Sequence, residues 1–131
     1  EAGMIPGLSA HMPEVIQYAD ANDYDVETYI QPYNAAGFLM QVEIESIAKI
    51  IHNAKKPVIT IKALAAGRLT PFVGLNFNFN TIRPQDMVCI GCFNADEAQE
   101  DIEISYAALE RRLPRISSRN SPLVTDIIKG N

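Results

Sequence analysis

The sequence predicts an α/β fold in which short parallel strands alternate with helices. Residues 7–11, 63–70 and 89–94 each follow a short apolar run, and a helical pattern follows the first and third of these stretches directly. The expected strands start about 20 to 30 residues apart, which is the length of one βα unit. In such units the loops at the carboxyl ends of the strands carry the chemistry, so these loops are the first candidates for a binding site.

Four strands are expected from apolar runs bounded by turn residues. The third is the plainest, because Val-Ile-Thr-Ile at residues 58–61 is a nearly continuous β-branched run. Such a run is typical of a parallel strand covered on both faces. The expected strands span residues 4–9, 26–31, 58–61 and 86–90.

Helices are expected after each strand. The second is the clearest, since Ile44, Ile47 and Ile51 recur at helical spacing. The alternation Phe-Asn-Phe-Asn within residues 72–82 also suits a strand, but we favour a short helix there because the βα repeat requires one. The first helix should begin at Pro13, where a missing N–H costs nothing, and run to about residue 22, with Val15, Ile16 and Ala19 on one face.

The last long helix should begin at Asn94, whose side chain suits an N-cap, with Glu97 three residues on as in a capping box. The charged residues of 96–103 are expected to form a solvated helix face. A further short helix is expected at residues 124–128. The buried stripe of the long helix is expected to consist of Ala98, Ile102, Tyr106 and Leu109.

Composition argues against several classes of protein. The 131 residues suit one domain with a real core. The 11 Lys and Arg are scattered except for two adjacent pairs, whereas binding to nucleic acid requires a concentrated basic face. No segment approaches the about 20 apolar residues of a membrane span. The first residue is not Met, so the chain is expected to begin partway through a longer one.

The cysteines and histidines give weak signals for a reactive site. Cys89 and Cys92 are the only cysteines, which fits a reducing, cytoplasmic compartment. They lie three residues apart without a second pair or a nearby His, so neither a metal site nor a redox pair is expected. His11 and His52 lack partner residues and are expected to be structural or solvated.

Four of the loops resemble, in order and spacing, those of the aldo/keto reductases. Residues 61–70 read Ile-Lys-Ala-Leu-Ala-Ala-Gly-Arg-Leu-Thr and align without gaps to that family's Tyr-Ser-Pro-Leu-Ala-x-Gly-x-Leu-Thr. Residues 7–10, Gly-Leu-Ser-Ala, resemble its Gly-Val-Ser-Asn loop. Residues 30–34, Ile-Gln-Pro-Tyr-Asn, resemble its Gln-x-x-Tyr-Asn strand end, and residues 90–96, Ile-Gly-Cys-Phe-Asn-Ala-Asp, its Pro-Gly-x-x-x-Pro-Glu stretch.

This resemblance covers about residues 3–113 and implies the C-terminal half of a (β/α)8 TIM barrel, with strands that match barrel strands five to eight. It divides the chain into a half-barrel, residues 1–113, and a C-terminal extension, residues 114–131. The implied partner is the upstream half of the same barrel or a second copy of the chain. The implied reaction is hydride transfer between NAD or NADP and a small-molecule carbonyl substrate.

In that family the Asp, Tyr, Lys and His that transfer protons lie on the first four strands. No catalytic residue is therefore expected in this chain, and Lys62 does not correspond to the family's lysine. Where the family has a ring-stacking Tyr this chain has Ile61, and where it often has a basic residue for the 2′-phosphate this chain has Glu97. A preference for NADP is accordingly not expected.

The resemblance implies that the four loops hold the cofactor. Ser9 would hydrogen-bond the carboxamide, the small residues of the third loop would let backbone N–H groups approach a pyrophosphate, and the helix start at Asn94 would add donors. On charge grounds, Lys62 and Arg68 would add phosphate contacts. The implied cofactor-binding residues are Ser9, Gln31, Lys62, Ala63, Leu64, Ala65, Gly67, Arg68, Cys92 and Asn94.

Two other interpretations remain open at this point. One is a nonredox TIM-barrel enzyme that uses the same loops for a phosphate or sugar ligand. The other is a noncatalytic half-barrel that serves as an assembly module. Structural roles also remain open for single residues: Gly67 would then only permit a turn, and Ser9 would only satisfy backbone groups at a strand end.

Overall fold

The structure is a computed structural model that describes residues 2–116, and it alternates four strands with four α-helices. A 3-10 turn, Ala65–Gly67, follows the third strand. The helix expected at residues 124–128 lies outside the described residues. The strands are β1 (Gly7–Ser9), β2 (Thr28–Pro32), β3 (Val58–Ile61) and β4 (Met87–Val88), and the helices are α1 (Glu14–Ala21), α2 (Ile44–Asn53), α3 (Pro71–Thr81) and α4 (Ala95–Glu110).

The four strands form one parallel sheet in the order β1-β2-β3-β4. The prediction of parallel strands, adjacent in sequence order, is therefore confirmed. Because the strands are parallel, their carboxyl ends meet at one edge of the sheet, which we call the carboxyl rim. The four predicted loops, at residues 8–11, 31–34, 62–68 and 91–94, all lie at this rim.

The helices cover one face of the sheet. Right-handed crossovers between strands that are added in one direction place every helix on the same side, and the burial of the strands follows this rule. Along β3, Val58 and Thr60 are fully buried, whereas Ile59 and Ile61 are only partly buried. The alternate positions form an uncovered face, here called the open face, on which paired residues of the four strands lie in a row: Ser9, Ile30, Ile59 and Met87.

The core lies between the sheet and the helices, in two clusters. The larger cluster joins β2 and β3 to the first two helices, and its second helix contributes the isoleucines that the sequence pattern singled out. The smaller cluster joins the loop after β3 to α3 and α4. The larger includes Ile16, Ala19, Tyr29, Ile47, Ile51 and Val58, and the smaller is built on Ala63, Leu75 and Ile104.

A buried ion pair connects the loops at the amino ends of β3 and β4. Nη2 of Arg83 lies 2.8 Å from Oδ1 of Asp86, whose side chain is 0% exposed. The same guanidinium donates to the backbone carbonyls of Ala54 and Lys56, and the carboxylate accepts the N–H of Val58 at 2.9 Å. A buried ion pair is favourable only when its remaining hydrogen-bonding groups are satisfied, and here these additional bonds satisfy them.

Three strands differ from their expected bounds. β1 begins at Gly7 rather than at residue 4, because Pro6 has no N–H to donate to the ladder, and Met4 and Ile5 are 81% and 78% exposed. β2 is shifted to Thr28–Pro32, and β4 shrinks to the two residues Met87–Val88. β3 has the predicted bounds.

The helix favoured over a strand at residues 72–82 is confirmed as α3. Its asparagines do not compete with the helix, because their side-chain amides donate to carbonyls four residues earlier: Asn76 to Phe72, Asn78 to Gly74 and Asn80 to Asn76. This back-bonding uses the side-chain donors within the helix itself.

The predicted buried stripe of α4 is wrong. Ile102, Tyr106 and Leu109 are 57%, 56% and 58% exposed, and Ala98 is only partly buried. The helix buries instead a face with two alanines, whose small side chains let it approach α3 closely. The buried residues of α4 are Asp101, Ile104, Ala107 and Ala108. The large apolar residues at helical spacing lie on the solvent side of the helix.

We predict that Asp86→Ala lowers the free energy of unfolding by about 3–5 kcal/mol, because it leaves the Arg83 guanidinium buried without its partner. Urea denaturation of the purified protein measures the change. The control is Asp23→Asn, which removes the charge of an exposed ion pair with Lys55 and keeps a residue that tolerates the positive φ of this position. It should leave the free energy of unfolding nearly unchanged. Equal effects of the two substitutions would contradict the prediction.

Candidate functional site

The loop after β3 has an unusual backbone conformation. Lys62, Ala65 and Ala66 adopt positive φ angles of 63°, 50° and 55°, and Gly67 one of 81°. For residues other than glycine this conformation is costly and persists where the surroundings impose it. Here the loop is held by hydrogen bonds from Ala65 N to Lys62 O (2.8 Å) and from Gly67 N to Leu64 O (3.0 Å).

Helix α3 packs closely against this loop. A Cβ atom on Gly74 would lie 2.6 Å from the carbonyl oxygen of Ala63, so only glycine lets the helix approach so closely. Ala63 and Ala65 are buried at this contact. The small residues of the loop therefore serve packing on one side, and the loop backbone faces the rim on the other.

A depression of about 600 Å³ opens between this loop and the end of β4. Its walls include Lys62 and Gly67 on one side and Gly91 and Glu97 on the other. A second depression of about 290 Å³ shares Leu64, Gly67, Gly91 and Glu97 with it and extends to Arg68 and Asp101. The structure thus brings together five of the predicted residues, which are Lys62, Ala63, Leu64, Gly67 and Arg68.

Arg68 also connects two of the rim loops. Its guanidinium lies 4.1 Å from the centre of the Phe38 ring and donates to the carbonyl of Ala65 at 3.1 Å. The loop after β2 is organised in turn by Asn34, whose Oδ1 accepts the N–H groups of Ala36 and Phe38. Asn34 is fully buried and therefore has a structural role.

The start of α4 forms the wall opposite the β3 loop. Asn94 is the N-cap, as predicted, and its Oδ1 accepts the N–H of Glu97 at 2.9 Å. The Glu97 carboxylate accepts the N–H of Phe93 at 3.0 Å, one residue earlier than in a standard capping box. The side chains of Asn94 and Glu97 therefore both hold the helix start, and Glu97 also lines the depression.

The other predicted residues do not line this depression. Ser9 is exposed on β1. Gln31 is buried, with Nε2 within 3.5 Å of the His11 carbonyl, and among the described residues its Oε1 has no hydrogen-bond partner. The Cys92 thiol donates to Oδ2 of Asp101 at 3.6 Å. Desolvation and the Asp101 carboxylate raise the pKa of this thiol.

Two carboxylates near the site, Glu97 and Asp101, were not predicted as site residues. The charge run from 96 to 103 was expected to be solvated, but Asp101 is 3% exposed. Glu97 and Asp101 are four residues apart, and this spacing places both on one side of a helix. The spacing was the feature of the sequence that could have identified them as a pair. The site therefore combines the cations Lys62 and Arg68 with these two acidic residues.

Comparison with family models, with curated proteins and with solved structures finds no match for this chain. Between residues 2 and 116, no group of three or more His, Cys, Asp or Glu residues is placed to hold a metal ion. No helix in that range has the length and apolar character needed to cross a membrane.

We predict that Asp101→Asn accelerates alkylation of Cys92 by up to about tenfold near pH 8, because removal of the carboxylate lowers the pKa of the thiol. Iodoacetamide labelling of a Cys89→Ser background, followed by mass spectrometry across pH, measures the rate. In a Cys92→Ser background the same substitution should leave the labelling of Cys89 unchanged. An unchanged pH profile for Cys92 would contradict the effect of the Asp101 carboxylate on the pKa of this thiol.

Proposed function

We propose that this chain is the C-terminal half of a (β/α)8 barrel and supplies the nicotinamide-cofactor platform of an aldo/keto reductase-like oxidoreductase. The observation that carries the proposal is the depression at the carboxyl rim, between the β3 loop and the start of α4. Barrel enzymes place their active sites at this end of the strands. The rim residues are also those whose sequence resembles the family's cofactor loops.

The one-sided sheet supports the half-barrel part of the proposal. A closed barrel needs strands in sequential order, helices on the outside and a layer of apolar side chains inside. The described residues have strands in sequential order with the helices on one side. Ile30, Ile59 and Ile61 on the open face would form part of the apolar layer inside the barrel. Strands β1 and β4 would then pair with the missing strands.

The depression fits part of a dinucleotide in size and in chemistry. Its volume of about 600 Å³ lies in the usual range for small-molecule sites. The Lys62 ammonium in this depression and the Arg68 guanidinium in the adjoining one would neutralise phosphate charge. The absence of a side chain at Gly67 leaves the loop backbone accessible. When bound, the nicotinamide would supply the hydride that reduces a carbonyl substrate.

In this proposal the described residues bind and orient the cofactor and do not transfer protons. Ile61, next to Lys62 on the wall of the depression, would pack against the nicotinamide ring without stacking on it. The residues that donate a proton to the substrate oxygen would come from the other half of the barrel. The proposed enzyme therefore requires both halves.

Glu97 and Asp101 favour one alternative ligand. Carboxylates accept hydrogen bonds from hydroxyl groups, and a carboxylate close to Gly67 would weaken phosphate binding there. A sugar or sugar phosphate would use the cations and the carboxylates of this rim together. The alternative function is accordingly a nonredox barrel enzyme that binds such a ligand.

We predict saturable binding of NADH or NADPH to the protein purified in its native assembly, with a dissociation constant below about 1 mM, which corresponds to about −4 kcal/mol. Titration monitored by nicotinamide fluorescence measures it. Lys62→Glu should weaken binding at least about tenfold, because it replaces a charge-assisted phosphate contact by repulsion. Lys49→Glu, on the exposed side of α2, is the matched control.

No saturation with either dinucleotide would contradict the cofactor proposal. Saturation with a sugar phosphate, weakened by Lys62→Glu and not by Lys49→Glu, would favour the nonredox enzyme. Absence of binding by all these ligands would leave the noncatalytic assembly module as the function of the chain.

We also predict that residues 1–131 alone do not form a stable monomer, because the sheet has two open edges and an uncovered apolar face. Size-exclusion chromatography with light scattering and thermal unfolding measure this directly. A soluble monomer near 14.5 kDa with a cooperative thermal transition would overturn the half-barrel assignment.

A further inference from the structure

Two loops of the carboxyl rim meet in a cation–π contact between Arg68 and Phe38. The guanidinium carbon of Arg68 lies over the Phe38 ring, 4.1 Å from its centre. Arg68 follows β3 and Phe38 follows β2, so the contact joins the loops of two neighbouring parallel strands. Phe38 was not predicted as a site residue, because the two side chains are far apart in the sequence and only the fold brings them together.

The position of Phe38 is imposed by a buried side chain. Oδ1 of Asn34 accepts the N–H of Phe38 at 2.8 Å, and Nδ2 of Asn34 donates to the Phe38 carbonyl at 2.9 Å. The residues on either side, Gly37 and Leu39, have positive φ angles of 66° and 57°. Such an angle is costly for leucine and persists only where the surrounding structure imposes it. The loop after β2 therefore holds Phe38 in a defined position.

Arg68 is also held by its own loop. Its Nη1 donates to the carbonyl of Ala65 at 3.1 Å, and the three residues before Arg68 all have positive φ angles. The contacts with Ala65 and Phe38 use one donor and one face of a guanidinium that has several N–H donors. Arg68 is exposed and lines the depression of about 290 Å³ described above. Its guanidinium is therefore fixed at a site that a ligand can reach.

A guanidinium that is fixed before its ligand arrives binds an anion more tightly than a freely moving one. An arginine side chain loses rotamer freedom when it is immobilised, and a contact that fixes it beforehand lowers this cost of binding. The guanidinium group both stacks on aromatic rings and donates to the oxygens of a phosphate group. Phe38 and Arg68 together therefore have the chemistry of a preorganised phosphate contact.

We propose that Phe38 is a positioning residue for a phosphate group bound at the carboxyl rim, and that it acts by holding the Arg68 guanidinium at the wall of the depression. The proposal rests on the proposed function, because it requires a phosphate-bearing ligand in this site. It adds the loop after β2 to a site otherwise formed by the loop after β3 and the start of α4. Lys62, on the loop after β3, supplies a second positive charge for the same ligand.

The test compares variants by isothermal titration calorimetry with inorganic pyrophosphate, on the protein purified in its native assembly. Phe38→Leu removes the ring but keeps an apolar side chain, whereas Phe38→Trp keeps an aromatic ring. Phe93→Leu is the control, because Phe93 also lies at the rim and is 93% exposed. Both substitutions of Phe38 are repeated in an Arg68→Gln background, and urea denaturation checks that each variant is folded.

The Phe38→Trp variant provides a second measurement. Because the chain contains no Trp, the fluorescence of this variant comes from a side chain that contacts Arg68. Pyrophosphate should change the fluorescence in a saturable manner when Arg68 is present and leave it unchanged in the Arg68→Gln background.

We expect Phe38→Leu to weaken pyrophosphate binding about two- to fivefold, and Phe93→Leu to leave it unchanged. Phe38→Trp should bind at least as tightly as the wild type, because Trp forms the strongest cation–π contacts. In the Arg68→Gln background the substitutions of Phe38 should have no further effect. An equal loss in both backgrounds, an equal loss for Leu and Trp, or no loss for Leu would overturn the proposal.

Failure of this proposal can be distinguished from failure of the cofactor proposal. Pyrophosphate binding that depends on Phe38, without saturation by NADH or NADPH, would support the role of Phe38 and contradict the cofactor proposal. Saturable NADH binding that Phe38→Leu leaves unchanged would have the opposite meaning. No detectable binding of pyrophosphate by the wild type would overturn the role of Phe38.

Discussion

The order of the strands is the constraint on which the rest of the structure depends. Because β1 to β4 are added in one direction, right-handed crossovers leave every helix on one face. The helical side becomes the core, and the other side keeps a row of partly buried apolar residues that includes Ile30 and Ile59. The open face and the two open edges both follow from this order.

The loops at the two ends of the sheet differ in structure. At the amino ends, the Arg83–Asp86 pair joins two loops through buried hydrogen bonds that use both side chains fully. At the carboxyl ends, the loop after β3 adopts costly left-handed conformations beside a depression that contains both cations and carboxylates. The buried ion pair and the depression therefore lie at opposite ends of the sheet.

The sequence predicted the order and type of the elements better than the burial of individual residues. The spacing of isoleucines located α2, and the βα repeat correctly favoured a helix at α3, because local periodicity determines these elements. The face that α4 buries depends on tertiary contacts with α3, and large apolar residues such as Ile102 were a misleading guide to it. The burial of Asp101 could not be predicted either, because a charge run on a helix is normally solvated.

We propose that the open face is the interior of a larger barrel. The most direct measurement is a crystal structure of the protein in its native assembly. We expect this structure to contain parallel strands hydrogen-bonded to both β1 and β4, with apolar side chains packed on Ile30, Ile59 and Met87. A second layer of helices across the open face, as in a two-sided open sheet, would contradict it.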